Sequence, residues 1–110
     1  MNQNFFMHND AALQDLGDGI SRKILAYAEN MMTVQVYFEQ GAVGKIHTHP
    51  HEQITYILEG AFEFNVDGDK RVVRAGDTIY KQPNVPHGAV CLEKGSLLDI
   101  FTPHREDFLK

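Results

Sequence analysis

The chain reads as all-β, a single domain folded as a sandwich or barrel, and three observations lead there. Aliphatic and aromatic residues fall in short runs: Ser21–Ala28, Met32–Phe38, Ile54–Leu58, Phe62–Val66, Lys70–Val73, Thr78–Lys81, Gly88–Leu92 and Ser96–Phe101. Turn-forming residues stand between them: Glu29-Asn30, Gln40-Gly41, Glu59-Gly60, Asp67-Gly68, Ala75-Gly76-Asp77, Pro83–Pro86 and Glu93-Lys94-Gly95. Many short strands at near-regular spacing with such punctuation indicate a sandwich or barrel. No segment carries a sustained apolar stripe of helical period.

At the ends, Asp10–Leu16 and Arg105–Leu109 each admit one or two helical turns. Asp67-Gly68, between FEFNV and KRVV, is the strongest hairpin signal. Strand alternation puts Phe62, Phe64 and Val66 on one face, with Glu63 and Asn65 opposite. It likewise puts Leu97, Asp99 and Phe101 on one face and Leu98 and Ile100 on the other. With no internal repeat, low-complexity tract or linker, residues 1–110 are expected to form one domain. A chain of 110 residues buries a real core without disulfides. Its lone cysteine, Cys91, rules out an intrachain bridge.

Fifteen acidic against ten basic residues give a net charge of −5. No basic stripe is present, which argues against a nucleic-acid partner. The apolar runs are far shorter than the ~20 residues of a membrane span. The N-terminus, MNQNFFMHND, lacks the basic and apolar regions of a secretory signal, and the expected location is the cytoplasm. A negative chain repels anionic substrates at long range. An acidic substrate therefore needs local positive charge, which a metal ion and one arginine would supply. Met1–Asn9 holds Phe5, Phe6 and Met7, apolar residues that a monomer leaves uncovered. With an open sheet edge nearby, a homodimer is expected.

Three of the six histidines cluster at His47, His49 and His51. His47 and His49 project from the same face of an extended strand. Pro50 limits that strand, and Gln53 keeps the same parity if it resumes beyond. His87 lies far along the chain and must reach the others from a different strand. Imidazole is a common neutral ligand for nickel, zinc, iron and manganese, so His47, His49 and His87 are candidate metal ligands. The amide of Gln53 serves either metal or substrate. His51 and His8 read as surface residues, and His104 is left without a role beside Arg105.

Residues 41–60, GAVGKIHTHPHEQITYILEG, and 76–87, GDTIYKQPNVPH, resemble the two motifs of the cupins. The first has a glycine, five residues, HxH, an amide after three more and a glycine after six. The second, extended to residue 91, has a glycine-aspartate turn, a proline and a histidine. This resemblance implies a double-stranded β-helix, the jelly-roll barrel, with a divalent metal held by His47, His49, Gln53 and His87. Gln53 stands where most metal cupins carry glutamate, which argues against a two-histidine-one-carboxylate iron oxygenase.

Nearly end to end, and most distinctively in the closing LLDIFTPHREDFLK, the chain is similar to the KdgF family of pectin-degradation proteins. That family is implied to convert 4,5-unsaturated monouronates, released by pectin and alginate lyases, to linear keto forms. The likeness makes Asp99 the catalytic acid-base residue and Arg105 the substrate-binding arginine, with Phe101 lining the site. Without it, Asp99 reads rather as a buried, hydrogen-bonded aspartate or an edge-strand charge, and Arg105 as part of a solvated tail. Tyr56 and Tyr80 offer hydroxyls, though strand packing suits them better. Two other readings remain open: a three-histidine non-haem iron dioxygenase and a non-catalytic sugar-binding cupin.

Overall fold

A computed structural model describes residues 3–110; Met1 and Asn2, the start of the apolar N-terminal segment, lie outside the described residues. Eight strands follow in order: β1 (Gln14–Gly17), β2 (Ile20–Ala28), β3 (Met31–Phe38), β4 (Val43–His47), β5 (Glu52–Val66), β6 (Asp69–Arg74), β7 (Thr78–Lys81) and β8 (His87–Thr102). All pairings are antiparallel, in the order β1-β2-β3-β8-β5-β6, with β4 also on β8 and β7 also on β5. Short 3-10 turns cover His8–Asp10 and Glu106–Leu109.

The largest departure from the sequence reading lies at the centre. Ile54–Leu58 and Phe62–Val66 are two halves of the single strand β5, and Gly88–Leu92 and Ser96–Phe101 are two halves of β8. Glu59-Gly60 and Glu93-Lys94-Gly95 are therefore bends in a continuous pair, marked by register shifts between Ile57 and Phe62. The backbones touch there. Gly60 has φ +84°, and a Cβ added to Gly95 would sit 2.1 Å from the carbonyl oxygen of Glu59. Only glycine permits that approach. Beyond the bend the two strands turn over together, each half taking different neighbours. The first half of β5 pairs with the second half of β8, beside β3 and β7; the remaining halves pair beside β4 and β6.

Other expectations fare variously. The Asp67-Gly68 hairpin forms, with both residues at positive φ, 52° and 86°, as a type I′ turn requires. The segment read as helical turns at 10–16 instead yields a 3-10 turn ending at Asp10, followed by β1 on β2. Without an apolar stripe, no helix there could bury a face. The strand read through His47 and His49 is β4, but it ends at His47; its start was not marked because VGKIH has no alternating apolar pattern.

The core packs Phe38, Ile57, Phe62, Phe64, Cys91 and Leu97, with Phe38 edge-on to Phe62 at 5.1 Å. A smaller cluster of Met32, Val34 and Phe101 lies beside the C-terminal Phe108. Near the N-terminus Phe5 and Met7 are exposed, whereas Phe6 stacks on Tyr27. Among the described residues no helix is long and apolar enough to cross a membrane.

Gly95→Ala forces the two central strands apart at their bend. It is expected to cost at least ~2 kcal/mol, read as a lowered urea midpoint; an unchanged midpoint would show that the bend tolerates a side chain.

Candidate metal centre

The antiparallel register brings the candidate ligands together from three chain segments. His47, the last residue of β4, pairs directly with His87, the first of β8. Their rings lie 4.5 Å apart, and that of His49 is 4.9 Å from His87. Gly88 makes the approach feasible, since a Cβ there would fall 2.7 Å from the carbonyl oxygen of Gly44. The loop before His87 is tied to the same centre by Asn84, whose N–H donates to the carbonyl of His49. Nitrogens of the three rings lie within 4.8 Å of one another. Metal–nitrogen bonds of ~2.0–2.1 Å place tetrahedral ligands about 3.4 Å apart, so side-chain movements of about an ångström close the cluster on an ion.

Two features of the donor set fit a metal. First, each Nδ1 faces a backbone carbonyl: His47 that of Lys45 at 2.8 Å, His49 that of His51 at 3.1 Å, His87 that of Val85 at 2.9 Å. Donation through Nδ1–H leaves the lone pair of every Nε2 available. Second, Gln53 Oε1 lies 2.9 Å from His49 Nε2, while the Gln53 amide nitrogen donates to Thr55 Oγ1 at 3.3 Å. In that tautomer the facing oxygen and nitrogen are both acceptors, a contact that a shared cation relieves.

Burial keeps the donors neutral. Desolvation pushes His87 down to about 4, reinforced by the nearby charge of Lys81. Burial also lowers His49, against an opposing pull from Gln53. His47, by contrast, is exposed and forms the open side of the cluster.

The remaining predicted residues share the adjoining cavity, of about 160 Å³, lined by His47, Gln53, His87, Asp99, Phe101 and Arg105 among others. Asp99 faces inward with Leu97 and Phe101, and its Oδ1 accepts from Thr55 Oγ1 at 2.7 Å. Arg105 stacks its guanidinium over Phe101 and Phe108, 5.2 and 4.2 Å from the ring centres. Asp107 orients it through two bonds of 3.1 and 2.9 Å and is itself held below the usual carboxylate range by them.

These strands resemble known proteins along their whole length. The cupin domain family matches residues 34–101. The pectin degradation protein KdgF of Dickeya dadantii is 43% identical over 107 residues, covering 96% of this chain and 97% of that protein. The chain is a cupin of the KdgF family. The solved structure of KdgF from a Halomonas species superposes with a TM-score of 0.92 at 42% identity, covering 97% of this chain and 99% of that one. An RmlC-like cupin from Shewanella frigidimarina gives 0.94 at 41% identity, covering 97% and 96%.

Some parts of this cupin depart from the sequence reading. His51, read as a surface residue, sits against His49 and Phe101 with its Nδ1 buried and unpartnered among the described residues. The bend at Pro50 and His51 turns the ring back toward the rim. Tyr56 and Tyr80 point away from the cavity, and the Tyr80 hydroxyl donates to Glu52. His8 is on the surface as expected, beside the Tyr37 hydroxyl, and His104 faces the carbonyl of Glu29. Three residues were missed: Lys81 and Arg22, which line the cavity, and Thr55, which is fully buried and bonded to Asp99. Lys81 shares strand parity with the inward Ile79, a signal that was present in TIYK. Arg22 stacks on Phe108 at 3.9 Å, giving the mouth a second guanidinium.

His87→Ala is expected to reduce bound metal from about one equivalent per chain to a small fraction, measured by elemental analysis after dialysis. In metal-free protein, the folded His87 titrates near 4 and the unfolded one near 6.5. The unfolded chain then binds the extra proton, so stability is full above pH 6.5 and falls as pH drops toward 4. Partial solvent screening leaves about 1–2 kcal/mol of this, roughly 5 °C in Tm across that window. The measurement is Tm against pH in wild type and His87→Gln, with the variant expected to show the shallower slope.

Proposed function

We propose that this cupin opens 4,5-unsaturated monouronates, of the kind released from pectin and alginate, into linear keto acids. The observation that carries the reading is the convergence of Asp99, Arg105 and the histidine cluster on one cavity. Likeness over nearly the full chain to a pectin degradation protein supports it. The cavity, about 160 Å³, is below the ~300 Å³ of sites for drug-sized ligands, so it suits one sugar ring rather than a chain.

The substrate is a cyclic enol ether with a hemiacetal at C1 and a carboxylate on C5. Opening removes the proton of the C1 hydroxyl and breaks the bond from C1 to the ring oxygen. The electron pair stays on that oxygen as an enolate, and a proton added at C4 gives the C5 ketone. One proton leaves and one arrives, so the change is an isomerisation. Asp99 takes the hydroxyl proton and returns it to C4, using the carboxylate oxygen not bonded to Thr55. Arg105 holds the substrate carboxylate, its fork pre-oriented by Asp107 and its plane by two aromatic rings. Phe101 forms the apolar floor beneath the ring and keeps water from Asp99. A divalent ion held by His47, His49, His87 and Gln53 would supply Lewis acidity beside the substrate carboxylate and the neighbouring oxygen.

The test is loss of the unsaturated chromophore from purified monouronate, with the product identified by NMR. Asp99→Asn is expected to retain the fold and the metal and to lower kcat by ~10²–10⁴-fold. Turnover at the wild-type rate in that variant would remove Asp99 from the mechanism. Activity that persists without oxygen separates this reaction from a dioxygenase.

A further inference from the structure

Lys81 is 2% exposed, the only lysine, arginine or carboxylate so buried among the described residues. It stands across from Gln53 in the β5–β7 ladder and lines the cavity. No carboxylate lies within ion-pair distance of it among the described residues. Its ammonium donates to Thr55 Oγ1 at 2.7 Å and lies 4.8 Å from the centre of the Phe64 ring. An apolar side chain of that length would avoid the cost of burying the charge. The position therefore carries a stability cost that packing does not explain.

Thr55 is fully buried, and its hydroxyl has two lone pairs and one proton. Lys81 Nζ and Gln53 Nε2 donate to that oxygen, filling both acceptor positions. The hydroxyl proton is left with one direction, toward Asp99 Oδ1 at 2.7 Å. The bonds thus run one way, from Lys81 through Thr55 to Asp99.

Resting on the ring-opening reading, we propose that Lys81 is a positioning residue that acts through Thr55 to commit one oxygen of Asp99 and aim the other at the substrate. The committed oxygen holds the carboxylate in a single orientation. The free one then meets the substrate from one side only, so C4 receives its proton on a single face. Without Lys81, the Thr55 hydroxyl gains an open acceptor site and can rotate away, and Asp99 is freed to turn.

The experiment compares wild type with Lys81→Met and Thr55→Val, and with Thr55→Ser as the conservative rescue. Lys81→Met is expected to bind one metal and to melt at or above the wild-type temperature. Its kcat should fall at least ~10-fold with KM within ~3-fold. In D2O, wild type should place deuterium on one face of C4, and Lys81→Met and Thr55→Val should give a mixture. Thr55→Ser should restore single-face labelling. Independently of turnover, a crystal structure of Lys81→Met should show Asp99 in more than one orientation. A wild-type protein inactive on the monouronate would defeat the ring-opening reading alone, since the Asp99 orientation is still read. Should Lys81→Met fail to fold, Thr55→Val carries the same readouts. Single-face labelling and near wild-type kcat in either variant, or one fixed Asp99 orientation without Lys81, overturns the proposal.

Discussion

The antiparallel pairing of β5 with β8, from Glu52 opposite Thr102 to Val66 opposite His87, is the constraint on which the rest hangs. It is the most extensive contact between strands among the described residues, and its two halves take different neighbours. Its register sets Gln53 against Phe101 and Thr55 against Asp99, while its far end delivers His87 to His47. A slip of one residue would turn Gln53, Thr55, Asp99 and Phe101 outward together. The bend at Gly60 and Gly95 shifts the register locally and lets the two halves of one strand pair take different neighbours.

At the cavity end the usual polarity of a barrel is reversed. On β5, Gln53 and Thr55 face inward, while Ile54, Tyr56 and Leu58 face out and are about 40% exposed. Burying polar side chains without partners is costly, so they must satisfy one another. They do so through Thr55, which links Gln53, Lys81 and Asp99. The amide that presents its oxygen to the histidines and the carboxylate that faces the cavity are thereby oriented by the same hydroxyl. Perturbing either end of this small network disturbs the other, because both bond the same Thr55 hydroxyl.

How much of this was legible in the sequence follows from the same physics. Local signals were reliable: the Asp67-Gly68 hairpin, the alternation around Phe62, and the inward parity of Leu97, Asp99 and Phe101. Strand continuity was not, because glycine at a close approach and glycine at a turn look alike until the partner strand is known. Gln40-Gly41 is a true turn, whereas Glu59-Gly60 bends within a ladder. The histidines were legible by spacing, and His87 needs only a second strand. Strand β4 ends at His47, however, and His49 joins the cluster from the bend that follows rather than from the same strand. Thr55 and Lys81 were hidden by their chemistry: threonine is ordinary in strands, and lysine defaults to the surface. Reading β7 by parity alone, with Ile79 inward, would have placed Lys81 inside.

Charge explains why the reversed interior suits an acid. The chain carries −5 overall, yet its cavity gathers Arg22, Arg105 and Lys81 against Asp99, with Asp107 paired to Arg105 at the rim. Three of the four candidate ligands favour the neutral form, since burial lowers His49 and His87 and Gln53 carries no charge. A glutamate at position 53 would cancel part of the ion's charge and add a second buried carboxylate near Asp99. The amide avoids both. Long-range repulsion from the negative surface is screened within ~8 Å at physiological salt, while the cations inside the cavity act at contact distance and in lower dielectric. Local arrangement thus outweighs net charge, and the acidic chain gathers three cationic side chains at the end of the barrel where its polar residues meet.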